Sequence, residues 1–249
     1  MFMDRHYIES LRLNEINEDS YIKDLPVIQN LMQGNDLNLN HDVIFLVGEN
    51  GVGKSTLIEA IAINAGFNPE GGSKNFNFET RDTTSNLHQY ITLSKGAYEK
   101  DGFFLRAESF YNVASEIDEY YKDEFNAKVS TSFGDVSLHN QSHGESFLSL
   151  VQNRFWGNGL YILDEPEAAL SPSRQLTLLA EMHMLVKNNS QFIISTHSPI
   201  LLSYPNACIY QITEEGIEAI EYSDCEHVML TKQFLNNPES FFRYLFEEK

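Results

Sequence analysis

The chain has 249 residues, of which 42% are hydrophobic and 12% aromatic, enough for a packed core and against disorder. Its formal net charge of −19 opposes extensive non-specific binding to nucleic acid, which needs a basic surface, and disfavours anionic membranes. No apolar run reaches the roughly 18–20 residues of a bilayer span, the start lacks the apolar stretch of a secretion signal, and Cys208 and Cys225 lack metal-ligand spacing. A cytoplasmic protein with reduced thiols is the expectation.

In chain order, Tyr7 to Leu13 alternates like a strand with one buried face. A polar stretch follows, punctuated by Pro26 and Gly34. Val43 to Val47 is a short, continuous, mostly β-branched run ending at Gly48, the pattern of a parallel strand covered on both faces. Lys54 to Ala65 carries apolar residues at helical spacing (Leu57, Ile58, Ile61, Ala65).

Residues 66 to 100 read as loops with a strand near Tyr90–Leu93, and Phe103–Arg106 as another strand. The spacing predicts a helix over Val113–Lys128, a loop through Gly134 to Ser142, and a helix from Glu145 with Phe147, Leu148, Val151 and Phe155 on one face. Leu160–Leu163 is a second apolar strand, ending in Asp164 and Glu165. Ser171 followed by Pro172 is a helix start. Phe192–Ile194 is a third core strand, ending in Ser195, Thr196 and His197. Strands are expected near Ile209–Ile212 and Ile217–Ile220, and a last helix over Ser240–Phe246. The tail after Ile220, with Glu221, Asp224, Glu226 and His227, reads as a solvated acidic face.

Four segments carry chemistry. Gly48-Glu49-Asn50-Gly51-Val52-Gly53-Lys54-Ser55-Thr56 matches the phosphate-loop pattern without a gap, between a buried strand and a helix. Its glycines let backbone N–H groups approach phosphate oxygens, and the helix points its positive end at the same anion. Lys54 would reach the β- and γ-phosphates, the Ser55 hydroxyl would ligate Mg²⁺, and Thr56 lies beside the α-phosphate.

Asp164 and Glu165 follow an aliphatic strand, where open α/β sheets bind ligands. Asp164 suits Mg²⁺ held through water, and Glu165 suits orienting an attacking water. Taken alone, the pair could equally be two surface acids. His197 could donate to a γ-phosphate, or simply be structural. Ser142, Gly144 and Glu145 open a helix and form either a second anion site or a plain cap.

In this order, the four segments resemble those of the ABC-type ATPases. Gly48–Thr56 looks like Walker A, Ser142–Ser146 like a variant signature, Leu160–Glu165 like Walker B, Ala169-Leu170-Ser171 like the D-loop, and His197 like the switch histidine. The wording Phe104–Phe110, Leu163–Ser171 and Ser195–Leu202 is closest to the stand-alone bacterial predicted AAA-family ATPases, related to SMC and RecF-like proteins. The signature departs from the transporter pattern, with His143 where Gly is usual. Gln89 is the candidate Q-loop glutamine by distance, while Arg106, Glu108 and Ser109 lie in the more family-specific segment.

The resemblance implies a P-loop NTPase of the α/β class: an ABC-type head with a mixed central sheet flanked by helices and a small helical signature lobe. It implies one domain over 1–249, its core from 1–66 and 157–249, with an inserted arm and signature lobe over about 67–156. It implies ATP and Mg²⁺ as cofactors, with Lys54, Glu165 and His197 catalytic and Ser55 and Asp164 at the metal. The phosphate loop and the Ser142–Ser146 segment of a second copy would sandwich ATP in a head-to-tail homodimer. The expected function is a soluble, nucleotide-driven ATPase switch acting on a protein or nucleic acid. The alternatives are the nucleotide-binding subunit of a membrane transporter and an ATP sensor without turnover, against which Glu165 argues.

Overall fold

The computed structural model describes residues 6–16, 20–34, 36–74, 85–108, 110 and 143–246. Strand β1 (Ile8–Leu13) pairs antiparallel with β2 (Leu37–Asn38) on one side and β4 (Ile91–Lys95) on the other. The short helix α1 (Pro26–Leu31) lies between β1 and β2 in sequence and buries Val27, Ile28 and Leu31. It occupies the stretch read as polar and irregular. Pro26 at its first turn supplies the preset φ of a helix start.

The main sheet has six strands in the order β5–β6–β7–β3–β8–β9: β3 (Val43–Gly48), β5 (Asp101–Arg106), β6 (Gly159–Asp164), β7 (Gln191–Ser195), β8 (Cys208–Ile212) and β9 (Ile217–Ile220). The first five run parallel, and β9 returns antiparallel on β8, so the sheet is mixed. The continuous apolar runs explain the burial. Phe45, Tyr161, Leu163, Phe192 and Ile194 face one core, and Ile44, Leu46, Leu160, Ile162 and Ile193 face the other. Helix α2 (Lys54–Ala65) covers the second face. Helices α3 (His143–Arg154), α4 (Pro172–Lys187) and the single turn α5 (Pro199–Leu202) cover the first.

Gln191, fully buried on β7, joins the two sheets. Its Oε1 accepts from the N–H of Tyr7 and of Ile8, and its Nε2 donates to the carbonyls of Ile8 and Leu39. These bonds, with a longer one from Nε2 to the His41 carbonyl, satisfy an amide that would otherwise be costly to bury.

The stretch 67–156, expected as an insertion, gives both β4 and β5 to the core sheets. The helix expected at Val113–Lys128 and Ser142 of the signature lie outside the described residues. In the tail, Glu221, Asp224 and Glu226 are exposed, as the reading of a solvated acidic face expects, while His227 is half-buried. Two helices close the chain, α6 (Glu226–Asn236) and α7 (Pro238–Phe246), and α6 is anchored by buried Cys225 and Val228. Among the described residues no helix is long and apolar enough to cross a membrane.

Candidate active site

β3, β6 and β7 are adjacent and parallel, so their C-terminal ends deliver three loops to one place. After β3 the chain turns through residues 49–53 into α2. Gly53 precedes the helix with φ 97°, and a Cβ there would lie 2.6 Å from Val27 Cγ1. Both the backbone and the neighbour therefore require glycine. Lys54 is 4% exposed, and its Nζ donates to the carbonyls of Gly48 and Glu49 at 2.8 and 2.9 Å. Burial lowers its pKa, opposed by Glu165, Asp164, Glu49 and Glu167. Glu49, Asn50, Gly51 and Val52 line a cavity of about 520 Å³ that Asp24 and His227 also face.

β6 ends in two acids with opposite surroundings. Asp164 is buried. Its Oδ1 accepts from Ser55 Oγ at 3.2 Å and Ser195 Oγ at 2.5 Å, and its Oδ2 lies 3.5 Å from Arg106 Nε. Glu165 keeps a partly exposed side chain and a left-handed backbone, φ 49° and ψ 52°. That conformation is uncommon for a residue other than glycine, and its N–H is tied to the Ser195 carbonyl at 3.1 Å.

β7 ends in Ser195, Thr196 and His197. The His197 Nε2 lies 3.7 Å from Glu165 Oε1 and is buried without a hydrogen-bond partner among the described residues. Burial first, then Lys54 and His227, lower the His197 pKa and keep the ring neutral near pH 7.

Of the expected residues, the structure brings together Lys54, Ser55, Asp164, Glu165 and His197. Thr56 follows on the first turn of α2. Gly144 and Glu145 are not among these contacts. They start α3 against α4, where Glu145 Oε1 accepts from Arg174 Nη2 at 2.9 Å. A Cβ on Gly144 would lie 2.8 Å from the Ala169 carbonyl, which packs the signature segment against the segment after β6. Gln89 sits in a short 3₁₀ turn before β4. Arg106, at the end of β5, is the residue of that region that reaches the acids.

A family model described as "AAA domain, putative AbiEii toxin, Type IV TA system" matches residues 146–203, the stretch that carries Asp164, Glu165 and His197. Among solved structures, a nucleotide-free ATP-binding cassette from an ABC transporter aligns with a TM-score of 0.53 and 15% identity, covering 95% of this chain and 98% of that chain. CbiO1 from Clostridium perfringens, part of the ABC transporter complex cbiONQ, aligns with a TM-score of 0.50 and 18% identity, covering 98% and 100%. The chain therefore shares the fold of these ATP-binding cassettes.

On this fold, several residues to which the sequence assigned no role support the site. Glu167, on the 3₁₀ turn after β6, accepts from Thr196 Oγ1 at 2.8 Å and from the His197 N–H at 2.6 Å. Its burial raises its pKa, and those donors oppose the rise. Gln175 accepts from Ser198 Oγ at 2.5 Å. Arg106 Nη1 bonds Glu59 Oε2 at 2.8 Å, so its charge is shared between Glu59 of α2 and Asp164. The signal for Glu167 lay in its spacing, two residues after Glu165. For His227 no local pattern pointed to His197, thirty residues away.

Proposed function

We propose that the chain is a Mg²⁺-dependent ATPase that hydrolyses ATP to ADP and phosphate. The observation that carries the reading is the convergence of Lys54, Ser55, Asp164, Glu165 and His197 at the ends of three adjacent parallel strands. The loop Gly48–Thr56 binds the phosphates, with Lys54 neutralising the β- and γ-phosphate charge. The hydroxyl of Ser55 and the carboxylate of Asp164, 3.2 Å apart, form an all-oxygen set that suits Mg²⁺. When bound there, the ion supplies charge neutralisation on the phosphate oxygens.

Glu165 is the acid with room to act. It is partly exposed and presented on a strained backbone, whereas Asp164 is engaged on both oxygens. Glu165 orients the attacking water and accepts its proton, and His197 Nε2 donates to the γ-phosphate. In this reading Ser142, Gly144 and Glu145 of a second copy close over the nucleotide. ATP then favours a homodimer and hydrolysis releases it, because the γ-phosphate contacts exist only in the closed state. The switch would act on a protein or nucleic acid. The transporter cassettes share this fold at 15 and 18% identity, which extends to the fold and not to the partner.

The test is Glu165→Gln. We expect steady-state phosphate release to fall by about 10²–10⁴-fold with ATP binding retained. Light scattering in ATP should show a stable dimer. Turnover equal to the parent would overturn the assignment of Glu165, and a variant that stays monomeric in ATP would overturn the sandwich.

A further inference from the structure

The residue that touches the His197 ring on its far side comes from α6, the first of the two closing helices. His227 Nε2 lies 3.0 Å from His197 Nδ1, and the two rings meet edge to face with centroids 4.9 Å apart. His227 stands in the first turn of α6, between Cys225 and Val228, both buried in the same core as Leu201 and Leu202. Tyr222 Oη donates to the Pro199 carbonyl at 3.1 Å, tying the segment before α6 to the loop that carries His197. The main chain of His197 is fixed separately through Glu167. Its ring therefore has one nitrogen against His227 and the other aimed at Glu165.

A neutral imidazole carries one proton, on one nitrogen or the other. If His197 donated from Nδ1, its Nε2 lone pair would face the Glu165 carboxylate at 3.7 Å, an unfavourable contact. If His227 donates from Nε2, the His197 proton sits on its own Nε2 and points at the Glu165 carboxylate. The second arrangement satisfies both ends of the ring. Lys54 and the carboxylates of Glu49 and Glu165 are the charged groups that bear on the same ring.

We propose that His227 is a positioning residue that holds His197 in the Nε2–H tautomer, so that the first turn of α6 is part of the hydrolytic site. This rests on the reading above that His197 Nε2 donates to the γ-phosphate.

The experiment pairs spectroscopy with kinetics on the full chain. Long-range ¹H–¹⁵N correlations of ¹⁵N-histidine protein report the tautomer of each ring, and His197→Gln assigns the His197 signals. The parent should show His197 as the Nε2–H form. His227→Ala should give a mixture of tautomers, and His227→Gln, which keeps an amide N–H near the same place, should restore the parent pattern. In parallel, His227→Ala should lower kcat by about 10-fold with KM for ATP changed less than about twofold, and His227→Gln should recover most of it.

An Nδ1–H tautomer in the parent, or spectra and kcat that His227→Ala leaves unchanged, would overturn the proposal. If His197→Gln keeps full turnover while the tautomer depends on His227 as expected, the arrangement of the two rings stands. The hydrolytic role given to His197 then falls.

Discussion

Helix α2 and the C-terminal pair α6–α7 both give the site a side chain from their first turn, yet they are held in opposite ways. α2 buries eight of its twelve residues, including charged Lys54 and Glu59. In α6 only Val228 is buried, and in α7 no residue is. Leu230, Leu235, Leu245 and Phe246 all stand more than half exposed. The difference teaches that a site group needs only its own turn to be fixed. Lys54 is fixed by a helix packed all round. His227 is fixed by Cys225, Val228 and the Tyr222 bond, while the rest of its helix contributes little to the core.

The largest effect that would sharpen this contrast lies in α2. Ile61 is fully buried between the sheet and the β1–β4 layer. Ile61→Ala removes three buried carbons and leaves a cavity among residues that themselves cannot collapse. We expect a loss of about 2–5 kcal/mol in urea unfolding. A loss below about 1 kcal/mol would mean that α2 is far less constrained than its burial implies.

How much of this was legible in the sequence divides along the same line. The strands Val43–Gly48, Gly159–Asp164 and Gln191–Ser195 were readable because double burial demands unbroken apolar runs. The phosphate-loop pattern and the acids at the end of β6 were readable because each is a run of particular residues at fixed spacing. Helix α6 was not, because its apolar residues are mostly exposed and mark no single buried face. Helix α1 was missed because six residues are too few for a periodic signal. The support given by Glu167, Arg106 and His227 depends on which strands lie side by side, and local pattern carries no record of that. The place of β5 at the edge of the main sheet is of the same kind: strand order, not chain order, puts it beside β6.

An intermediate effect separates the His197 ring from its surroundings. Its pKa is lowered in the folded chain by burial, Lys54 and His227. Below the ordinary histidine pKa, about 6.5, the unfolded chain therefore binds the extra proton more readily than the folded one. Stability should fall as pH drops through that value and recover as it rises. Eight histidines share the curve, so the useful quantity is the difference between parent and His197→Gln. Chemical unfolding at pH 5.5 and pH 7.5 should show a smaller pH-dependent loss in the variant. An identical loss in both proteins would mean that the ring titrates as freely as in the unfolded chain.

The smallest expected effect is at the far end of the hairpin. Leu245 lies on α7 with about two thirds of its surface exposed, and α7 reaches the rest of the molecule chiefly through α6. Leu245→Ser removes an apolar side chain that is already mostly in water, so stability should change by less than about 0.5 kcal/mol. Phosphate release should be unchanged, because the fixed part of the hairpin is the first turn of α6, some eighteen residues earlier in the chain. A stability loss above about 1 kcal/mol would place α7 in the core and erase the contrast with α2. Lost turnover at unchanged stability would instead show that the end of the hairpin reports to His227, which the anchoring by Cys225, Val228 and Tyr222 argues against.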